Sequence, residues 1–130
     1  MTQYLPGFQK QTGIEVRYEK TGATRDLDRE VTIHVYRVLQ EALNNIAKHS
    51  RSSRADVRLR YLPQSLVLEV EDNGVGFRDS QGLAAGERKG MGLVSMRERA
   101  DLVNGQLELG SGSAGGALVR LTVPAVESHA

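Results

Sequence analysis

The sequence predicts an α+β fold, a two-layer α/β sandwich whose five-stranded mixed, mostly antiparallel sheet has helices packed on one face. Three observations lead there. Several short segments alternate apolar and polar side chains, the period that puts neighbours on opposite faces of a strand. Longer segments repeat apolar residues at helical spacing, which gives one buried stripe per helix. The strand segments also keep one polar face, whereas a parallel sheet covered on both sides would read as continuous apolar runs.

In chain order, residues 1 to 12 contain Leu5 and Phe8 around Pro6-Gly7 and read as a short irregular or helical entry segment. Ile14, Val16 and Tyr18 then alternate with Glu15, Arg17 and Glu19 as a first strand. From Leu27 to His49 the apolar positions Leu27, Val31, Val35, Val38, Ala42 and Ile46 predict a long helix, with Asp26 or Asp28 as its N-cap. Val57, Leu59 and Tyr61 form a second strand and Leu66, Leu68 and Val70 a third, joined by a hairpin turn at Pro63-Gln64-Ser65. Leu93, Met96, Ala100 and Val103 predict another helix, stopped in a left-handed turn at Asn104-Gly105. Leu107 with Leu109, and Val119 with Leu121 and Val123, complete the sheet, whose second face is expected to be solvated.

A chain of 130 residues, 39% hydrophobic and 25% charged, suits one globular domain with a real core, expected to span 1–130 with its centre at 12–124. Seventeen basic against 16 acidic side chains leave a net charge of +1, too little for general attraction to nucleic acid. Cysteine is absent, which excludes disulfides and thiolate metal sites. No apolar run approaches the roughly 18 residues that suggest a membrane span, and the first residues have no signal-peptide layout, so a soluble chain is expected.

The long helix carries a second, polar stripe. Arg37, Glu41, Asn45, Lys48 and His49 fall on adjacent turns of one side and can face one ligand. Asn44 and Asn45 are poor helix-interior choices, because asparagine competes with the backbone for hydrogen bonds. A carboxylate and an amide carbonyl at this spacing can give oxygen to magnesium, which takes its other ligands from water and phosphate. A solvated face with a Glu-Lys pair would look the same. Continuing the third strand's alternation puts Asp72 on the inward face, where a carboxylate needs a partner. An adenine exocyclic amine would donate to it, whereas guanine offers a carbonyl there; the mismatch costs about 1–3 kcal/mol. Gly74 and Gly76 then let the backbone turn close to a base. An ordinary Asp-Asn-Gly turn is the alternative.

Between Phe77 and Lys89 the chain is rich in Gly, Ala and charge and reads as a mobile lid. Gly90-Met91-Gly92-Leu93 opens the second helix, whose first amides suit phosphate, although a plain loop and helix start would read alike. Gly110-x-Gly112-x-x-Gly115 matches the dinucleotide fingerprint but joins two strands, so it is read as a loop. The Walker-type phosphate loop is absent, so an ATP site must be of another kind.

The ordered set "QEALNNIAKHS", "EDNGVGF", "KGMGLVSMRERADLVNGQLEL" and "GGALVRLTVP" resembles the catalytic ATP-binding domain of bacterial sensor histidine kinases, most closely the nitrate-sensor and desaturase-regulator subgroup. More broadly it is similar to the Bergerat-type ATPases of gyrase, mismatch-repair proteins and heat-shock chaperones. The resemblance implies Mg2+ on Asn45, with Glu41 as a ligand or water-positioning group, and both as the catalytic pair. It implies phosphate contacts from Lys48 and His49, adenine reading by Asp72, turn glycines at Gly74 and Gly76, and a second glycine box at Gly90, Met91, Gly92 and Leu93.

It further implies γ-phosphate transfer from Mg-ATP to a histidine on a separate phosphoacceptor and dimerisation domain, a response regulator as indirect partner, and a cytoplasmic location. Membrane contact would come only through other parts of a parent kinase. Two departures stand out. Ala117 follows Gly115-Gly116 where many relatives carry a threonine, and neither His34, in mid-helix, nor His129, in the tail, resembles an acceptor box. The chain is therefore expected to bind ATP with little turnover alone. An anti-sigma-factor-type serine kinase is an open alternative. So is a non-enzymatic protein or RNA contact surface built on Lys48, Arg51, Arg54, Arg58 and Arg60.

Overall fold

The alternating segments become β1 (Glu15–Thr21), β2 (Arg54–Tyr61), β3 (Ser65–Asp72), β4 (Gln106–Ser111) and β5 (Ala117–Pro124) in a computed structural model that describes residues 4–23, 27–50, 53–74, 93–111 and 116–124. They form one sheet in the order β1-β2-β3-β5-β4. β1 and β2 are parallel and every other neighbouring pair is antiparallel. A parallel pair cannot be closed by a hairpin, so the chain must cross over between β1 and β2. Helix α2 (Arg29–Asn45) is that crossover and lies across one sheet face. Between β2 and β3 the chain does turn tightly, with the Leu62 N–H donating to the Ser65 carbonyl at 2.9 Å and the reverse bond at 3.4 Å.

The core lies between sheet and helices. α2 contributes Val35, Val38, Leu39, Ala42 and Leu43, which pack with Val57 and Leu59 of β2, Leu66, Leu68 and Val70 of β3, and Val119, Leu121 and Val123 of β5. Helix α3 (Leu93–Leu102) adds Met96 and Ala100. Helix α1 (Tyr4–Thr12) adds Leu5 and Phe8. Pro6 sits in the first turn of α1, where its missing N–H costs no helical bond, so the entry segment is helical despite Pro6-Gly7.

Helix ends follow the sequence only in part. Asn104 adopts the left-handed conformation with φ 56°, the Gly105 N–H reaches the Ala100 carbonyl at 2.7 Å, and the Asn104 N–H reaches that of Asp101 at 3.1 Å. This is the paired-bond stop expected at Asn104-Gly105. Asp28 does precede α2, but its side chain makes no capping bond; its carbonyl instead accepts from the Thr32 N–H at 3.1 Å. Asp26 lies outside the described residues. The long helix also does not run as one α-helix to His49: it widens after Asn45 into a π-helical turn at Ile46–Ser50.

The second sheet face differs most from expectation. Glu69 and Glu71 on β3 are not solvated; they are 2% and 7% exposed. Glu69 takes three arginines, with contacts to Arg58 at 3.2 Å, Arg60 at 2.6 Å and Arg120 at 2.8 Å, while Arg58 also reaches Glu71 at 2.7 Å. The aliphatic stems of these arginines cover the central strand while their heads stay partly wet. The strand registers extend the pattern into an alternating row across all five strands, Glu19, Arg58, Glu69, Arg120 and Glu108. Burial alone would raise the Glu69 carboxyl, but hydrogen bonds from Arg120 and Arg58 and the charges of Arg60 and Arg58 outweigh it and hold the group below its ordinary value of 4.5.

Replacing this charge should therefore be costly. Glu69→Gln is expected to lower unfolding free energy at pH 7 by about 2–3 kcal/mol in urea titrations, somewhat below the range for fully buried pairs because the arginines are partly wet. A folded carboxyl that holds its proton more weakly than the unfolded one stabilises the fold fully above the ordinary value of 4.5. That contribution fades as pH falls through the lower folded value, and the gap between wild type and variant should close in the same window.

Candidate functional site

Asp72 ends β3. It pairs with Ala55, a core residue, and shares the parity of Leu66, Leu68 and Val70, so its side chain enters the face that α2 covers. It is 3% exposed. A carboxylate so placed needs compensation. Its Oδ1 accepts the Gly74 N–H at 2.8 Å and, more weakly, the Ala117 N–H at 3.4 Å. The first is the bond an ordinary Asp-Asn-Gly turn makes, and both bonds go to the same oxygen. Neither exhausts the group: among the described residues Oδ2 accepts no hydrogen bond and no cationic side chain pairs with the carboxylate.

Backbone from β5 closes against this acid. A Cβ added at Gly116 would lie 2.6 Å from Asp72 Oδ1 and closer still to the Asp72 carbonyl oxygen. Only glycine permits that approach, a requirement the sequence reading did not assign to Gly116. The adjacent glycine pair was the available signal. Gly74 is described and donates to Asp72, while Gly76, Gly90, Met91 and Gly92 lie outside the described residues. Leu93 begins α3.

The polar stripe of α2 is divided by the π turn. Glu41 and Asn45 are half-buried on α2, whereas Lys48 and His49 fall in the wider turn, out of α-helical phase with them. π turns recur at functional sites because they re-aim side chains. Arg37 and Glu41 do come together, lining a groove of about 360 Å³ with Tyr4, Gln40, Asn44 and Arg99. Asn45 does not line it. Asn44 has its own structural employment: its Oδ1 accepts from the Tyr4 hydroxyl at 3.3 Å and so ties α1 to α2. Tyr4 and Arg99 were not recognised in the sequence, and nothing local to either could mark them.

His34 contacts Arg99 Nη1 through Nδ1 at 3.3 Å. An arginine N–H can only donate, so Nδ1 is the acceptor in this contact. His34 is half-buried on α2. His129 lies outside the described residues.

No group of three or more His, Cys, Asp or Glu side chains among the described residues could hold a metal alone. Glu41 and Asn45, one turn apart on α2, carry a carboxylate and an amide oxygen, the types of donor that magnesium takes beside water and phosphate.

Comparisons with known proteins bear on the family and the fold. Residues 30–127 match the family described as "Histidine kinase-, DNA gyrase B-, and HSP90-like ATPase". The oxygen sensor histidine kinase NreB of Staphylococcus carnosus is 38% identical over 124 residues, 93% of this chain and 34% of that protein. The sensor histidine kinase LiaS of Bacillus subtilis is 33% identical over 124 residues, 95% of this chain and 33% of that protein. The chain thus spans about a third of the length of these curated relatives. Among solved structures, the histidine kinase domain of the Erythrobacter litoralis EL346 blue-light activated kinase superposes with a TM-score of 0.71 at 20% identity, covering 94% of this chain and 58% of that one. The mycobacterial sensor histidine kinase MprB gives 0.71 at 19% identity, with 97% and 92% covered. At these identities the likeness is one of fold, and the α+β architecture is common to all.

Gly116→Ala should force β5 away from Asp72. An unfolding free energy lower by about 1–3 kcal/mol, read from urea titration, is the expected result.

Proposed function

This chain belongs to the histidine kinase-, DNA gyrase B-, and HSP90-like ATPase family, and on that premise we propose that it holds Mg-ATP and presents the γ-phosphate to a histidine on a separate phosphoacceptor domain of a sensor kinase. ATP use follows from the family; the magnesium, the residue roles and the acceptor are our reading. The observation that carries it is Asp72: a buried acid on the helix-covered face, with Oδ1 held by backbone amides and Oδ2 accepting no hydrogen bond among the described residues.

In this reading Asp72 Oδ2 accepts from the adenine amine while Gly74 and Gly76 keep side chains away from the base. Asn45 offers its amide oxygen to magnesium, and Glu41 serves as a second ligand or positions a water. Lys48 and His49, which follow α2 in the π turn, are assigned to the phosphates, as are Gly90, Met91, Gly92 and Leu93. The bound nucleotide supplies the phosphoryl group and the metal neutralises its charge. What the chain's own residues add is positioning and charge compensation, the main requirements of phosphoryl transfer. The response regulator enters only downstream of the acceptor histidine.

No helix among the described residues is long and apolar enough to cross a membrane; the cytoplasmic placement rests on the family resemblance. The rival basic-patch reading loses support from the sheet, where Arg54, Arg58 and Arg60 are all engaged by acidic side chains.

Calorimetric titration with ATP and GTP, each with and without magnesium, tests base and cation dependence together. ATP should bind about ten- to a hundredfold more tightly than GTP. Asp72→Asn should erase most of that preference, and Asn45→Ala should remove the magnesium dependence while leaving the base preference. Undiminished Mg-ATP affinity in both variants would overturn the assignment.

A further inference from the structure

We propose that Asn73 is a positioning residue that sets the distance between the base-reading and metal-holding ends of the site, a role that rests on the ATP-binding reading above. Both the oxygen and the nitrogen of its amide are engaged. Oδ1 accepts the backbone N–H groups of Ser53 at 3.1 Å and Arg54 at 3.0 Å, and Nδ2 donates to Ser53 Oγ at 3.0 Å. The Asn73 N–H also donates to the Arg54 carbonyl at 3.3 Å, and the Ser53 carbonyl accepts the N–H of Glu15 at the start of β1 at 3.0 Å.

The place of this clamp gives it meaning. Asn73 follows Asp72 directly, so their Cα atoms are about 3.8 Å apart. The π turn begins immediately after Asn45, and residues 51 and 52 alone separate its end at Ser50 from the pinned Ser53. The chain leaving Asn45 is thus fastened one residue from Asp72. Base and phosphates of one nucleotide have a limited span, and small misplacements weaken interactions that must be made together. Asn73 itself is exposed, one residue out of phase with the inward Asp72. Water could satisfy the same amides, so the clamp adds little to stability and its value lies in where it holds the chain.

The test is titration of the intact chain with adenosine, and with ATP in the presence and absence of magnesium, for wild type, Asn73→Ala and Asn73→Asp. Aspartate retains the acceptor oxygen and can take the Ser53 hydroxyl proton as its third bond. We expect Asn73→Ala to keep adenosine affinity within about twofold of wild type, because Asp72 is held by Gly74, Ala117 and the Gly116 contact. The gain in ATP affinity on adding magnesium should shrink about tenfold in Asn73→Ala and return in Asn73→Asp. An unchanged magnesium gain in Asn73→Ala overturns the proposal, as does a loss of adenosine and Mg-ATP affinity in equal proportion, which would make the residue merely structural. Should Asn73→Ala fail to fold, Ser53→Ala removes only the Oγ contact: a magnesium gain reduced about threefold supports the clamp, and no reduction overturns it. A wild-type chain that binds no ATP sinks the ATP-binding reading itself, whereas tight wild-type binding with indifferent variants sinks the clamp alone.

Discussion

Three carboxylates on one strand are held away from water, and the fold compensates them in two different ways. On the outer face of β3, Glu69 and Glu71 meet arginines from β2 and β5. On the inner face, Asp72 meets backbone amides. Burying a charge is costly unless it is paired or hydrogen-bonded, so the central strand can exist only because its neighbours supply these groups. The outer pair is fully engaged within the sheet. The inner acid has one oxygen that accepts no hydrogen bond among the described residues.

The sheet order makes this division feasible. With β3 in the middle, β2 and β5 both lie beside it, and arginines from both can converge on Glu69. The parallel β1–β2 pair demands a crossover, which brings α2, the helix that carries Glu41 and Asn45, over the inner face. One topological choice thus covers the core and puts the helix that carries Glu41 and Asn45 on the sheet face that Asp72 also enters.

Much of this was legible in the residues because it depends on local period. Alternation located all five strands, the inward parity of Asp72 followed from Leu66, Leu68 and Val70, and the left-handed stop was visible at Asn104-Gly105. What was hidden depends on distant partners. Alternating Glu69 and Glu71 look like any wet strand face until Arg120, far along the chain, is placed beside them. The requirement at Gly116 exists only because Asp72 packs under it, and Tyr4 and Arg99 flank α2 from elements that show no sign of it in their own sequence. The π turn escaped because helical spacing assumes an unchanging pitch. The paired asparagines that precede it were a fair warning, although Asn44 proves to be a tether for α1.

The alternating row of charge that crosses the sheet starts at Glu19 on one margin and finishes at Glu108 on the other. Both outermost strands, β1 and β4, therefore present the same sign at that height. A second molecule attempting to extend the sheet margin to margin there would set carboxylate against carboxylate, a pairing that disfavours strand addition. The device that keeps the middle of the sheet dry thereby also protects its open borders from polymerisation.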